Sequence, residues 1–200
     1  MIINFPKLLN KRNHRSGQGF TLIEVMIAIV ILGVGLLALM ALFGKALAAV
    51  RYSDEDQIAK QKAREAMESI YTARNDTSIS FNQIQNVSNG GIFKDGFNNL
   101  YLAGTNGVPG TSSDTAILDR VILPGKNGII ETAPGSATPA GDDVLVPLTN
   151  FQRQILIGNV IGDDGTVNLY MRKVSVTVRI TSPGRGTRDY VTEGYISSYQ

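Results

Sequence analysis

The chain has 200 residues, of which 43% are hydrophobic and 18% charged, and its formal net charge is +2. That length suits one modest globular domain plus an additional helix rather than two large domains. The only histidine is His14, and there is no cysteine or tryptophan, which excludes disulfides, Cys-His catalytic pairs and cysteine-based zinc sites.

The N-terminal part of the sequence combines a basic segment with a long apolar stretch. The segment ahead of Gly19 contains no acidic residue and four basic ones: Lys7, Lys11, Arg12 and Arg15. After Glu24, residues 25–44 carry no charge, and twelve of these twenty are Val, Ile, Leu or Phe. At about 1.5 Å per residue they form a helix of roughly 30 Å, which matches the hydrocarbon core of a bilayer. The positive-inside rule then predicts one span with a cytoplasmic N terminus.

Beyond this span the helical pattern continues. No Pro or Gly interrupts residues 45–74. Apolar residues recur there at three- and four-residue spacing with charged residues between them, at Ile58, Ala59, Ala63, Ala66, Met67 and Ile70. The pattern predicts one helix from Phe20 to about Arg74, with one face of its second half buried against the protein's own domain. The turn-prone run Asn-Asp-Thr-Ser at residues 75–78 predicts its end.

The remaining sequence predicts a loop-rich middle followed by a sheet. Residues 89–143 are crowded with Gly, Pro, Asn, Ser and Thr, and three short apolar pieces are candidate strands: residues 121–123, 129–130 and 144–146. Residues 154–161 and 166–180 flank the turn Gly-Asp-Asp-Gly and predict a hairpin, and residues 188–197 predict a last strand. Val174, Val176, Val178 and Ile180 alternate with polar residues, as in a half-buried strand. A long helix packed on a C-terminal antiparallel sheet makes the expected fold class α+β.

Several charged residues of the C-terminal half are candidate binding groups. The aspartate pairs at residues 142–143 and 163–164 resemble calcium ligands, but neither follows the EF-hand pattern, and Asp beside Gly is typical of tight turns. We therefore predict turn residues and no metal site. Arg179, Arg185 and Arg188 are interpreted as a solvated loop face rather than a nucleic-acid site.

Residues 19–24, Gly-Phe-Thr-Leu-Ile-Glu, resemble the processing motif of type IV prepilins at every position. The resemblance implies cleavage after Gly19 by a membrane-embedded prepilin peptidase and N-methylation of the new terminal Phe20. It also implies that Glu24 pairs with the terminal amine of a neighbouring filament subunit. Residues 1–19 are then a leader, residues 20–75 the long helix with its transmembrane part at 25–44, and residues 76–200 a globular head.

A finer resemblance is to minor pilins of the PilV kind, carried by residues 20–42, 63–70 and 172–178. It implies a structural subunit. The residue inventory, in which the only histidine lies in the expected leader and cysteine is absent, argues against an enzyme, a cofactor and a metal. The partners that the resemblance implies are prepilin peptidase, other major and minor pilins through the helix, and inner-membrane lipid, with no nucleic acid. Its implied location is the bacterial inner membrane, with the head in the periplasm, and then the pilus at the cell surface. Losing the four basic leader residues would change the net charge from +2 to −2.

Three alternatives remain open from the sequence. A minor pseudopilin of a type II secretion system is similar in much of the helix. The second alternative is a conventional signal peptide that is cut after Ala48, because residues 46–48 form an A-x-A site. The product would be a secreted binding protein. The apolar part of a signal peptide, however, is typically only about 7–15 residues long, which is shorter than the apolar stretch here. Thr21 and Glu24 also fit a capping box, in which Glu24 merely satisfies an amide at the helix start.

Overall fold

The computed structural model describes residues 19–134, 136 and 138–199. Gly19 is therefore the only described residue of the expected leader, whose basic residues and His14 lie outside the described residues. Contacts divide the chain into a first unit that ends at Ala49 and a second that begins at Val50.

The first unit is formed by the N-terminal part of helix α1, Leu22–Asn75. The predicted helix is confirmed, and its observed ends lie within two residues of the expected ones. Its backbone stays α-helical through Gly33 and Gly35, where a side chain would meet nothing within 4 Å. Within the described residues, α1 is the one helix that is long and apolar enough to cross a membrane.

In the second unit, the C-terminal part of α1 buries one face against the sheet. The buried apolar residues are Ala59, Ala63, Ala66, Met67, Ile70 and Ala73, which confirms the predicted stripe, while Ile58 at its margin is partly buried. Four of the six are alanines, whose short side chains let the helix backbone lie close to the strands. Gly194 on the sheet also permits this close approach, because a Cβ at this position would overlap the Tyr71 hydroxyl and crowd the Met67 sulfur.

The described strands number six: β1 (Asn98–Asn99), β2 (Arg120–Leu123), β3 (Val144–Pro147), β4 (Phe151–Ile161), β5 (Val167–Ser182) and β6 (Gly186–Ser197). Antiparallel pairing gives a four-stranded sheet of order β1-β4-β5-β6 and a separate ladder of β2 with β3. Together with α1 this is the α+β, pilin-like arrangement that the sequence predicts.

The central strand β5 supplies much of the core. Val174, Val176, Val178 and Ile180 are fully buried, which confirms the predicted alternation. The β4–β5 hairpin is regular from Phe151 opposite Ile180 to Asn159 opposite Arg172, and a bulge follows at Asn159 and Val160. Valine and isoleucine suit this position because their branched side chains pack well on a pleated surface.

The middle of the chain covers the sheet with short elements. Two short 3-10 helices, Phe81–Gln83 and Val87–Asn89, are present, and the candidate strands at residues 121–123 and 144–146 are confirmed within β2 and β3. The expected strand at residues 129–130 is wrong: Ile129 and Ile130 are exposed, non-strand residues. The amide of Ile129 donates instead to the Asn127 side chain at 2.8 Å, so local turn chemistry replaces strand pairing.

Replacing Ile70 by Ala tests the packing of α1 on the sheet. Ile70 is fully buried, so the truncation should lower the free energy of unfolding by about 2–5 kcal/mol through lost burial and a residual cavity. The measurement is urea unfolding of the full chain in detergent, followed by tyrosine fluorescence of the head. The matched control is Leu169→Ala, since Leu169 is 77% exposed and should change stability by about 0.5 kcal/mol or less. Equal losses in both variants would contradict the packing described.

Candidate functional site

The start of α1 is fixed by Thr21. Its carbonyl oxygen accepts the amides of Glu24 at 3.1 Å and Val25 at 3.2 Å, and its hydroxyl oxygen accepts the Glu24 amide at 3.3 Å. A threonine oxygen that accepts an amide three residues further on is an N-cap, which satisfies a donor that the helix itself cannot. The helix therefore begins at Leu22, with Thr21 as its cap, and Gly19 and Phe20 lie outside it.

Gly19 and Phe20 form an accessible, non-helical pair ahead of this cap. Both are exposed, Phe20 to 81%, and a Cβ on Gly19 would meet nothing within 4 Å. The peptide bond between them is therefore not shielded by the described chain. A protease requires such an exposed, non-helical bond, so this geometry suits the predicted cleavage position.

Glu24 has its carboxylate free for another partner. Only the first bond of the predicted capping box is present, because the Thr21 amide does not donate back to this carboxylate. Within residues 19–134, 136 and 138–199 the carboxylate makes no hydrogen bond or ion pair. Its position in the first turn complements the positive end of the helix dipole. An unpaired charge at the centre of the hydrocarbon costs about 3 kcal/mol, and less at its margin, so a cation from outside this part of the chain would stabilise the carboxylate.

The surface of α1 that follows is apolar all round. Every large apolar side chain from Leu22 to Val50 is between 46% and 81% exposed. A helix that is hydrophobic on all faces requires apolar surroundings, which water does not offer. Lipid, or similar helices of other chains, would supply them.

The three arginines near the β5–β6 turn are ion-paired. Arg188 and Arg185 both contact the Asp56 carboxylate of α1, Arg185 at 3.3 Å, while Arg179 binds Asp189 through two nitrogens at 2.8 Å each. Arg185 is exposed on the turn, as the interpretation of a solvated loop face expects, but Arg179 and Arg188 lie on β5 and β6 and are only partly exposed. The pairing with Asp56 was missed because Asp56 lies 132 residues from Arg188 in the sequence.

Asp56 is held ionised by this network. Burial opposes its ionisation, but contacts with the Tyr190 hydroxyl and the Arg188 guanidinium outweigh burial and keep the pKa of Asp56 below its usual value. The Arg188 guanidinium also donates to the Tyr190 hydroxyl at 3.0 Å. One carboxylate of α1 thus joins two residues of β6.

Asp164 acts as a turn residue, as predicted, whereas the carboxylate of Asp143 binds a loop that lies 11 and 12 residues earlier in the chain. Asp143 accepts the amides of Thr132 at 2.7 Å and Glu131 at 2.8 Å, and although burial opposes ionisation, these bonds keep its pKa low. Asp164 accepts the amide and hydroxyl of Thr166, which lowers its pKa as well. In the part of the chain that the structure describes, no three acidic or histidine side chains are grouped as a metal would require.

A buried charge cluster in the head was not predicted. Arg153 points inward from β4 and is only 4% exposed, and burial lowers its pKa against the attraction of Asp114 and Asp119. Lys62 of α1 pairs with Asp119 at 2.8 Å, and although burial opposes its charge, this carboxylate raises its pKa. The alternation Phe151, Arg153, Ile155 already places an arginine among inward positions, and this was the signal available in the sequence.

Residues 14–40 match the family model described as the prokaryotic N-terminal methylation motif. The chain thus carries the N-terminal motif of a type IV pilin- or pseudopilin-like substrate of prepilin peptidase. The apolar helix after the motif fits anchoring in the inner membrane. No curated protein and no solved structure has significant similarity to the chain. The motif match ends at residue 40, so it concerns the N-terminal segment and not the head.

Replacing Asp56 by Asn tests the ion pairs between α1 and the β5–β6 turn. The depressed pKa means that the contribution of Asp56 is fully present above its unfolded pKa, about 3.9, and is lost as the pH falls through the folded value. The Asp56 side chain is still 20% exposed, and water screens an ion pair that it can reach. We therefore expect the free energy of unfolding to fall by only about 1 kcal/mol at pH 7, which corresponds to roughly 4 °C in Tm.

The Tm difference between wild type and Asp56→Asn, measured by circular dichroism of the full chain in detergent, should stay constant from pH 7 to about 5 and shrink below about 4. Asp54→Asn, on an exposed neighbour, is the control and should leave Tm unchanged. A difference between wild type and Asp56→Asn that persists at pH 2 would contradict an electrostatic role.

Proposed function

We propose that the chain is a minor pilin of a type IV pilus, processed by prepilin peptidase and inserted by its helix into the filament or its initiation complex. The observation that carries the proposal is the match to the methylation motif at a place where the bond between Gly19 and Phe20 is exposed ahead of a capped helix. The proposed role is structural rather than catalytic, since the sequence from Phe20 onward contains no histidine or cysteine.

The proposed sequence of events begins in the inner membrane. The basic segment ahead of Gly19 would stay in the cytoplasm, and the head would lie in the periplasm, with the apolar part of α1 in lipid. Cleavage would release the leader and create an amine on Phe20. Transfer of the helix from lipid into a bundle of other pilin helices then keeps its apolar surface away from water at every step.

The new amine would be a partner for Glu24 of a neighbouring subunit. The Glu24 carboxylate is not used by the cap of its own helix, so it is available to a second chain. Within a filament core the pair would be removed from water. A buried charge that lacks its partner there costs several kcal/mol. The pairing would therefore select subunits that have been cleaved.

A minor pseudopilin is the second candidate, because the matched motif fits both classes of protein. A secreted binding protein cut after Ala48 is less well supported. Residues 46–48 lie inside the continuous helix α1, where backbone hydrogen bonds oppose the extended conformation that a protease needs. The resemblance of residues 20–42, 63–70 and 172–178 to PilV-type minor pilins supports a pilus over a secretion system. Co-purification of the chain with pilus fibres or with the secretion apparatus distinguishes the two.

Processing is tested by mass spectrometry of the N terminus of the full chain, expressed in cells that contain prepilin peptidase. The expected mature chain begins at N-methylated Phe20. Gly19→Val should prevent cleavage without disturbing the fold, because a side chain at this position meets nothing within 4 Å. A mature N terminus at Ala49 would support a signal peptide instead, and an intact chain from Met1 would support a retained anchor; either result contradicts the proposal.

Assembly is tested with Glu24→Val. The cap bond uses the Glu24 amide and not its carboxylate, so insertion and helix formation should be unchanged while incorporation into sheared fibres falls at least about tenfold. The measurement is the ratio of the chain in fibres to the chain in membranes by immunoblot. Glu24→Asp keeps the charge and serves as the matched control, with the smaller loss. Normal incorporation of the valine variant would exclude the proposed pairing.

A further inference from the structure

Strand β6 is an edge of the four-stranded sheet, and its register shows which backbone groups face outward. The Ser198 amide donates to the Tyr170 carbonyl at 2.8 Å, and the β5–β6 register is unbroken from Met171 opposite Ser197 to Ser182 opposite Gly186. Because direction alternates along an antiparallel strand, the even-numbered residues of β6 face β5 and the odd-numbered ones face away. The Tyr71 hydroxyl agrees with this assignment, since it donates to the outward carbonyl of Tyr195 at 3.2 Å.

Tyr71 covers this edge only at Tyr195. The outward amides and carbonyls of Asp189, Val191 and Glu193 have no hydrogen-bond partner among residues 19–134, 136 and 138–199. They lie on a strand of 12 residues that contains neither a proline nor a bulge. The opposite edge is better covered, because the Asn86 side chain bonds the Ile155 carbonyl at 2.8 Å and the Ile157 amide at 2.9 Å on β4.

Charge does not block the β6 edge either. Proteins commonly protect an exposed edge with charged side chains. Here Asp189 is paired with Arg179 at 2.8 Å and Glu193 with Lys173 at 2.8 Å, both on β5. Between the two acids stands Val191, which is 56% exposed.

Asp189 and Glu193 determine which kind of strand can pair with the β6 edge. In an antiparallel pair of two copies centred on Val191, Asp189 of each copy would stand opposite Glu193 of the other, and like charges directly opposite are destabilising. The existing neighbour β5 shows the favourable pattern, with Arg179 opposite Asp189 and Thr177 opposite Val191. The complementary strand therefore has a β-branched residue flanked, two positions away on both sides, by basic residues.

We infer that β6 is a docking edge for a basic β-strand of a different protein chain, which extends the sheet through main-chain hydrogen bonds at Asp189, Val191 and Glu193. The surface belongs to the head and does not depend on which filament the helix enters. It goes beyond the proposed function, because it adds a contact that the N-terminal helix does not make.

The test uses the full chain in detergent micelles and a nine-residue peptide, acetyl-Thr-Thr-Lys-Thr-Val-Thr-Lys-Thr-Thr-amide. The control peptide carries Glu in place of both Lys residues. Binding is followed by fluorescence anisotropy and by residue-resolved amide hydrogen exchange. At a saturating concentration of the Lys peptide, the outward amides at 189, 191 and 193 should exchange about tenfold more slowly, while the inward amides at 190 and 192 stay unchanged. The Glu peptide should bind about threefold to tenfold more weakly.

Two variants separate edge pairing from surface charge. Val191→Pro removes one outward amide, a change that edge strands tolerate, and should weaken binding of the Lys peptide about tenfold relative to the matched Val191→Thr at unchanged Tm. The double variant D189N/E193Q should bind both peptides equally. Equal binding of both peptides to wild type, unweakened binding to Val191→Pro, or concentration-dependent protection of the outward amides without peptide would each overturn the inference; the last would indicate self-pairing.

Discussion

The apolar surface of α1 over residues 25–44 must be covered by lipid or by other chains, because the described chain leaves it exposed. A helix that exposes apolar side chains on every face is stable only in lipid or among similar helices. Lipid and a bundle of similar helices would each meet this requirement, so one apolar environment can replace the other. Glu24 marks the start of this surface, and its unused carboxylate supplies a specific charge within an otherwise non-directional contact. Hydrophobic burial would then drive the association, and the charge would decide its register.

The second part of the same helix is held on the sheet of the head without a disulfide. Small side chains at Ala59, Ala63 and Ala66 bring the helix close to the sheet, and polar contacts secure it along its length. Asp56 binds the β5–β6 turn, Lys62 pairs with Asp119, and Arg74 donates to the Ser198 carbonyl at 2.9 Å. Many separate contacts of modest energy thus hold the helix on the sheet.

Features that depend on local pattern were predictable from the sequence, and features that depend on distant partners were not. The helix, its buried stripe and the β4–β5 hairpin follow from periodicity and turn residues, and each is confirmed. Asp164 likewise follows from turn chemistry, whereas Asp143 binds amides 11 and 12 residues earlier in the chain. The expected strand at Ile129 and Ile130 fails because a strand needs a partner, and two apolar residues do not specify one. The pairing of Arg188 with Asp56 required three-dimensional proximity, which spacing along the chain does not reveal. The inward position of Arg153 was signalled by the alternation in β4, but its acidic neighbours were not.

Nitroxide accessibility tests most directly whether the first part of α1 lies in lipid on all its faces. The chain contains no cysteine, so single substitutions allow specific labelling at Ile29 and Ile31, about 200° apart around the helix, and at Ser53 and Gln57. In the full chain reconstituted in phospholipid nanodiscs, labels at Ile29 and Ile31 should both collide with oxygen more than with a water-soluble nickel complex. Labels at Ser53 and Gln57 should show the reverse. An aqueous signal at either isoleucine would contradict the account.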